Sequence, residues 1–396
     1  MTYVERFEKL GVGMFVHFGL YSVRGKGEWN QNYLQKEEYP AYHALKDKFR
    51  ISKNWAKELV KTAKAAGCKY ITLTTRHHDG FSLFDTCGLN DFDAPHSACK
   101  RDLIREFVDE CNKGGIVPFF YHTLLDWYQE TFETDFPKYI DYLIASVELL
   151  CKNYGKIVGL WFDGMWSKPN EDWQEDRLYA TIRKYQPEAM IINNTGLSEL
   201  GKVGHPELDS VTFERGAPCF VDNSDRRRAG EMCQVLNDHW GYAENDYNYK
   251  PVSQIVSDLV DCRKYNCNFL LNIGLKGNGL VRDIDGCFLR FVGKWIRANK
   301  NFIYGVRSAD ITAENADILK GDDGYYAVIK NVPMSADPNV QRSLSTGQVC
   351  VHANLERAVW LDSGEEIPVE NNSFAVKPFL YGESRMVRVA KLYLKA

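Results

Sequence analysis

The chain has 396 residues, 44% hydrophobic and 26% charged, with a net charge of −4. That length exceeds what one core usually organises, so a large domain plus a smaller one is expected. The interspersed charge excludes the basic stripe that nucleic acid or an anionic membrane selects, and no apolar stretch reaches the ~18 residues of a membrane span, so neither partner is expected.

Taken in chain order, the first three quarters alternate short apolar runs with longer amphipathic segments. Strands are predicted at residues 14–18, 70–75, 117–123, 158–163, 190–194, 211–214 and 268–273, each rich in β-branched or aromatic residues, as strands buried on both faces are. Helices are predicted between them at 54–66, 102–112, 139–154 and 252–265; in the first, Trp55, Leu59, Val60 and Ala63 recur at helical spacing. Ser52 or Asn54 is placed to cap that helix and Gly67 to close it. Repeated strand–helix alternation means a parallel sheet. The repeat number suits a closed (β/α) barrel of the TIM type, with seven clear strands and an eighth irregular or missing.

From Asn301 to Ala396 the pattern changes to short β-like runs at 325–330, 348–351, 357–361, 373–376 and 386–394, separated by Gly and Asn/Asp turns. The expected organisation is a catalytic barrel over 1–300 and a small antiparallel, sandwich-like β-domain over 301–396.

Eleven cysteines are scattered, and Cys68, Cys262, Cys267 and Cys350 sit in apolar patterns where reduced thiols belong. No CxxC pair occurs, so no structural zinc site is expected. Residues 1–19 lack the basic start and long apolar run of a signal peptide, which predicts a cytoplasmic location. Aromatic residues reach 13%, which suits a sugar-binding surface and an aromatic-rich core equally. The basic run Arg226-Arg227-Arg228, flanked by Asp225 and Glu231, reads as a solvated loop.

In a (β/α) barrel, functional side chains emerge at the C-terminal strand ends and in the loops after them. Here those positions hold His17, then Glu28 and Trp29, then His77 and His78, then Tyr121 and His122, then Trp161 and Asp163, and later Glu214. A sheet buried on both faces has no structural need for so many polar groups at one end. A glycosidase requires two carboxyl groups, one to attack or to orient water and one to protonate the leaving oxygen. Asp163 and Glu214, each directly after an apolar strand, are the candidates; alone, either could be a helix cap or half of an ion pair. Trp161 shares a strand face with Asp163 and can line a sugar pocket. The histidines could hold a metal, with His17 and His122 joining the pair. Adjacent strand residues point to opposite faces, however, and no His-x-His spacing occurs, so neutral histidines bonding sugar hydroxyls are preferred and neither metal nor cofactor is expected. The Gly274–Gly279 stretch lacks the spacing of a phosphate loop and reads as a tight turn.

These motifs resemble the α-L-fucosidases of glycoside hydrolase family 29. The resemblance rests on Met14-Phe15-Val16-His17-Phe18-Gly19, Gly27-Glu28-Trp29, Thr74-Thr75-Arg76-His77-His78-Asp79-Gly80-Phe81, Arg101-Asp102-Leu103, Leu124-Leu125-Asp126-Trp127, Trp161-Phe162-Asp163-Gly164 and Leu270-Leu271-Asn272-Ile273-Gly274, in the expected order over residues 8–300. It implies hydrolysis of terminal α-L-fucosides with retention, through a covalent glycosyl-enzyme on Asp163, with fucosylated oligosaccharides or glycoconjugates as substrates. It implies a sugar pocket of His17, Glu28, His77, His78 and Trp161. The strand-three contact falls at Tyr121 or His122, because the family's usual Tyr-Tyr reads Tyr-His here. Order and spacing favour Glu214 as acid/base, with Glu231 the alternative. The Arg that some members carry after strand five is replaced by Asn193-Asn194-Thr195. A catalytically silent fucose-binding barrel and an α-L-glycosidase of other sugar specificity are the alternative functions.

Overall fold

The computed structural model describes residues 1–195, 197, 199–337 and 347–395. Eight parallel strands close into a barrel in sequence order: β1 (Val12–His17), β2 (Tyr70–Arg76), β3 (Val117–Thr123), β4 (Gly159–Asp163), β5 (Met190–Asn193), β6 (Ser210–Glu214), β7 (Ala229–Val235) and β8 (Cys267–Gly274), with β8 returning to pair with β1. β1 and β2 are buried along their whole length; β2 nonetheless carries Thr72, Thr74, Thr75 and Arg76, and the Thr74 and Thr75 hydroxyls donate to the Phe18 and Tyr121 carbonyls.

β7 is the strand that the hydrophobic pattern missed. Its sequence, Ala229-Gly230-Glu231-Met232-Cys233-Gln234-Val235, has no apolar run, yet every residue is buried. Ala229 and Cys233 face the barrel interior, whereas Met232 packs in the outer layer. Glu231 shares the inward face, and the polar partners waiting there let a carboxyl group occupy a buried strand.

Helices Trp55–Ala66, Leu103–Gly114, Phe136–Asn153 and Val252–Lys264 stand where periodicity placed them, within a few residues at each end. Asn54 occupies the N-cap of the first without a side-chain capping bond, and the Ser52 hydroxyl accepts only from the Asn54 N–H, at 3.4 Å. Gly67 closes that helix at φ +86°, a left-handed conformation that favours glycine, and its N–H bonds the Ala63 and Lys64 carbonyls. Two further helices, Glu175–Tyr185 and Asp283–Ala298, escaped the sequence reading. The first buries only Leu178, Tyr179 and Ile182. The second contains Gly286 and Gly293, which weaken a helical signal. Gly293 has a packing reason: a Cβ there would lie 1.9 Å from the Ala65 carbonyl oxygen, so the crossing with Trp55–Ala66 tolerates no side chain. Among the described residues no helix occupies the β5–β6 or β6–β7 connection.

The N-terminal helix Tyr3–Glu8 plugs the bottom of the barrel. Phe7 sits 5.6 Å from Tyr70 and 5.4 Å from Phe119, ring centre to ring centre, and Val4 joins the same interior cluster. The Arg226–Arg228 run anchors this end and is not a solvated loop. Arg227 pairs with Glu5 at 3.0 Å and also with Glu8; Arg226 reaches buried Asp209 at 2.9 Å; and Arg228 is itself buried.

Beyond Asp283–Ala298 the described chain is β-structure, apart from one 3-10 turn at Phe302–Tyr304. A six-stranded antiparallel sheet runs in the order Glu366–Ile367, Leu355–Trp360, Arg388–Leu394, Gly324–Ile329, Asp317–Gly321, Val306–Ser308. One face packs, through Ala327, Ala358 and Leu392, against Val349 and Phe374 of a three-stranded sheet. The other face, with Leu319, Val328 and Val389, merges into the barrel's outer core. Trp295 Nε1 donates to the Val387 carbonyl at 2.8 Å across that junction.

Candidate active site

The C-terminal strand ends open on a pocket of about 130 Å³. β1 supplies Phe15 and His17, the end of β2 His77 and His78, β3 Tyr121, β4 Trp161 and Asp163, β6 Glu214, and β7 Cys233. Loops add Trp29, Trp166, Leu197 and Trp240. A larger hollow opens at the opposite end, beneath the barrel, but its charges are turned on one another: Arg227 meets Glu5 and Glu8, and Arg307 meets Asp322.

Asp163 has donors on both oxygens. Oδ1 accepts from Trp166 Nε1 at 3.3 Å and Asn194 Nδ2 at 3.3 Å; Oδ2 accepts from the Tyr121 hydroxyl at 3.2 Å. Glu214 Oε2 accepts from the same Asn194 nitrogen at 2.6 Å. The two oxygens that share this nitrogen can be no farther apart than those two contacts laid end to end. That limit falls short of the roughly 6.5–9.5 Å between carboxyls in inverting glycosidases and accommodates the about 5–5.5 Å of retaining ones. Burial, then the Asp163 charge, raise the Glu214 carboxyl to about 7, against the lowering effects of Asn194 and Arg215. One carboxyl group of the pair therefore keeps its proton near neutrality, as a general acid must.

The histidines are neutral, and their tautomers follow from their partners. Asn272 spends its amide donor on the Trp240 carbonyl at 2.7 Å, so its oxygen faces His17 Nδ1, also at 2.7 Å; that nitrogen carries the hydrogen and Nε2 is free to accept. Thr123 donates to the Leu125 carbonyl at 2.6 Å, so its hydroxyl oxygen accepts from His78 Nδ1 at 2.7 Å, again leaving Nε2 as acceptor. Burial pushes His17 down to about 3 and His78 to about 4, the latter partly offset by Asp163. His77 is also driven well below its usual value by burial. His78 Nε2 and Asp163 Oδ2 lie 3.6 Å apart, both as acceptors. A hydroxyl donor from a ligand would complete that arrangement.

Four indoles and a phenol supply flat apolar walls. Trp29 and Trp166 stack at 5.7 Å and 21°, and Tyr121 and Trp161 at 5.7 Å and 22°. Such faces cover the C–H surface of a pyranose while the imidazoles take its hydroxyls.

The family model described as "Alpha-L-fucosidase" matches residues 2–301. The chain belongs to the α-L-fucosidase family. The plasma alpha-L-fucosidase of Pongo abelii is 27% identical over 336 residues, covering 75% of this chain and 69% of the relative. The alpha-L-fucosidase isoenzyme 1 structure from Paenibacillus thiaminolyticus superposes with a TM-score of 0.82 at 28% identity, covering 100% of this chain and 99% of its own. A GH29 alpha-L-fucosidase from Bacteroides thetaiotaomicron, solved as a trapped covalent intermediate, shares the fold with a TM-score of 0.81 at 21% identity, over 100% of this chain and 96% of its own.

Within this family scaffold, two of the expected pocket residues lie elsewhere. His122 faces away from the pocket, between the sheet and helix Phe136–Asn153: Nδ1 meets Thr75 Oγ1 at 2.8 Å, and Nε2 meets Arg76 Nη2 and Ser146 Oγ, each at 3.0 Å. It alternates with Tyr121, and only one of two adjacent strand residues can face inward. Glu28 stands just behind the lining, where Oε2 accepts from the Gly241 N–H at 2.7 Å and so fixes the segment bearing Trp240.

Glu231 lies inside the barrel below the lining, accepting from Trp161 Nε1 at 3.1 Å and from the Tyr70 hydroxyl. Burial raises its carboxyl to about 7, so the native state favours the protonated form. Its contribution to stability is full below the unfolded value of 4.5 and is lost as pH climbs through about 7. Glu231→Gln, which cannot ionise, is expected to flatten the fall in melting temperature over that window, by up to a few kcal/mol of unfolding free energy. Thermal denaturation of both proteins across the range checks it.

Trp166, Trp240 and Asn194, like the lining residues Phe15, Leu197 and Cys233, are not among the residues that the sequence assigns to the site. Trp166 sits in the 3-10 turn Met165–Ser167 straight after Asp163, and Trp240 lies in the loop that follows β7, the strand whose apolar pattern Glu231 interrupts. Asn194 was visible only as a departure from the family's Arg.

Proposed function

We propose that this protein is an exo-acting, retaining α-L-fucosidase that releases terminal L-fucose from fucosylated oligosaccharides or glycoconjugates. The observation that carries the reading is the pairing of Asp163 and Glu214 through one amide nitrogen, at a spacing suited to a covalent sugar intermediate. Asp163 attacks the anomeric carbon while Glu214 passes its proton to the departing glycosidic oxygen; the C–O bond to the aglycone breaks as the bond to Asp163 forms. Glu214, now a carboxylate, takes a proton from water, whose oxygen displaces Asp163 and regenerates the acid. His17, His77 and His78 accept or share the sugar's hydroxyl hydrogens, and Trp29, Trp161 and Tyr121 enclose its apolar edge. The small volume of the pocket supports exo action on a single terminal sugar, with the half-exposed Trp166 and Leu197 left at the mouth for the aglycone.

Two inversions at one carbon amount to retention, so the first sugar released from an α-L-fucoside should be the α-anomer. Proton NMR during early turnover of an aryl α-L-fucoside reads this directly; the β-anomer as first product, or no hydrolysis of any fucoside, would overturn the proposal.

A further inference from the structure

We propose that Asn194 is a positioning residue that dictates which oxygen of Glu214 carries the transferable proton, by donating simultaneously to Oε2 of Glu214 and Oδ1 of Asp163. The inference rests on the acid and nucleophile roles proposed above and adds a residue to them.

The geometry permits one amide orientation. Asn194 Oδ1 accepts from the Thr212 hydroxyl at 2.9 Å, which turns Nδ2 toward the two carboxyl groups. Both Asn194 and Thr212 are buried, so no bulk water competes for these positions. An oxygen that accepts a 2.6 Å hydrogen bond from an amide is a poor place for a proton, because N–H and O–H would face each other. The proton of Glu214 is therefore confined to Oε1. A general acid delivers its proton along one direction, so removing the alternative protomer aligns the acid before substrate arrives. The second hydrogen of the same amide group, or a bifurcated share of the first, ties the nucleophile to the acid, so the two carboxyl groups move as one unit.

Other titratable groups around the pair make different contributions. His78 and Tyr121 face Asp163 from β2 and β3, both on Oδ2. Arg215 and Glu28 act on Glu214 through space with opposite signs, and Cys233 lies beside it on β7 without a hydrogen bond to it. None of these bonds a Glu214 oxygen. Among the described residues, only Asn194 distinguishes Oε1 from Oε2.

The test compares wild type, Asn194→Ala and Thr212→Val on two α-L-fucosides, one with an activated nitrophenol leaving group and one with a sugar. Thr212→Val keeps both carboxyl groups and the amide but removes the hydroxyl that orients it, and its near-identical shape guards against misfolding. The poor leaving group needs the proton and the activated one does not. Asn194→Ala is thus expected to lower kcat about tenfold more on the sugar substrate than on the aryl one, with the alkaline limb of the pH profile moved upward by roughly half a unit or more because a bond favouring the carboxylate is lost. Thr212→Val should move both readouts in the same direction by less. Equal losses on the two substrates, with the alkaline limb in place, would overturn the proposal, since general damage to the pocket produces that pattern. A wild-type protein that hydrolyses neither fucoside would instead sink the functional reading itself.

Discussion

Asp163→Gly is expected to lower turnover of an aryl α-L-fucoside by roughly 10⁴-fold or more, equivalent to about 5.4 kcal/mol of barrier at 1.36 kcal/mol per decade. The native fold should survive, because Asp163 ends β4 with its side chain in the pocket and not in the core. Loss of activity alone could reflect a damaged pocket, so the informative readout is chemical. Azide added to this variant can enter the space left by the carboxylate and attack the sugar from the same side. The product should be β-L-fucosyl azide, the inverted anomer, with Glu214 still protonating the leaving group. Undiminished hydrolysis in the variant would remove Asp163 from the mechanism.

Glu214→Ala should behave differently in three respects. The loss should be about 10²–10⁴-fold on poor leaving groups and much smaller on an activated phenol, which departs without help from an acid. Azide should now yield α-L-fucosyl azide, the retained anomer, because it intercepts the glycosyl-enzyme on Asp163. The pH profile should also change. In the proposed mechanism Glu214 acts only while it holds its proton, and burial raises its carboxyl to about 7, so the wild-type rate should fall as pH rises through that value. The variant should lose this alkaline limb. Azide rescue of Glu231→Ala in place of Glu214→Ala would transfer the acid role to Glu231, against its position beneath the pocket lining.

Much of this architecture is readable from residue order because burial writes itself plainly into strands. Leu160-Trp161-Phe162 and Phe119-Phe120-Tyr121, short, aromatic-rich and bounded by turn signals, read as strands covered on both sides, and Asp163 and the Tyr121 hydroxyl mark the open end of the barrel. β7 was not legible for a physical reason: Glu231 belongs inside the barrel, where Trp161 and Tyr70 satisfy it, and an acidic residue in mid-strand erases the pattern that reveals strands. His122 was ambiguous for a related reason. Alternation shows that Tyr121 and His122 face opposite ways, but which one faces inward depends on the register against β2 and β4. Trp240 and Asn194 depend on tertiary placement alone. Trp240 reaches the pocket because Glu28 and Asn272 hold its loop, and Asn194 matters because Thr212, eighteen residues onward, turns its amide.

The barrel wall from β5 to β7 has no outer helix among the described residues. Asp163 consequently stands on a strand braced by Phe136–Asn153 and Glu175–Tyr185, while Glu214 lies between two connections that are backed by loop alone. The loop after β5 also brings Leu197 to the pocket mouth. Length can be added or removed in this sector without dislodging a packed helix. The scaffold thus sets a helix-braced wall, which bears Asp163, beside an adjustable vestibule. Loops exchanged there would alter what lies beyond the pocket mouth and leave the Asp163 wall undisturbed.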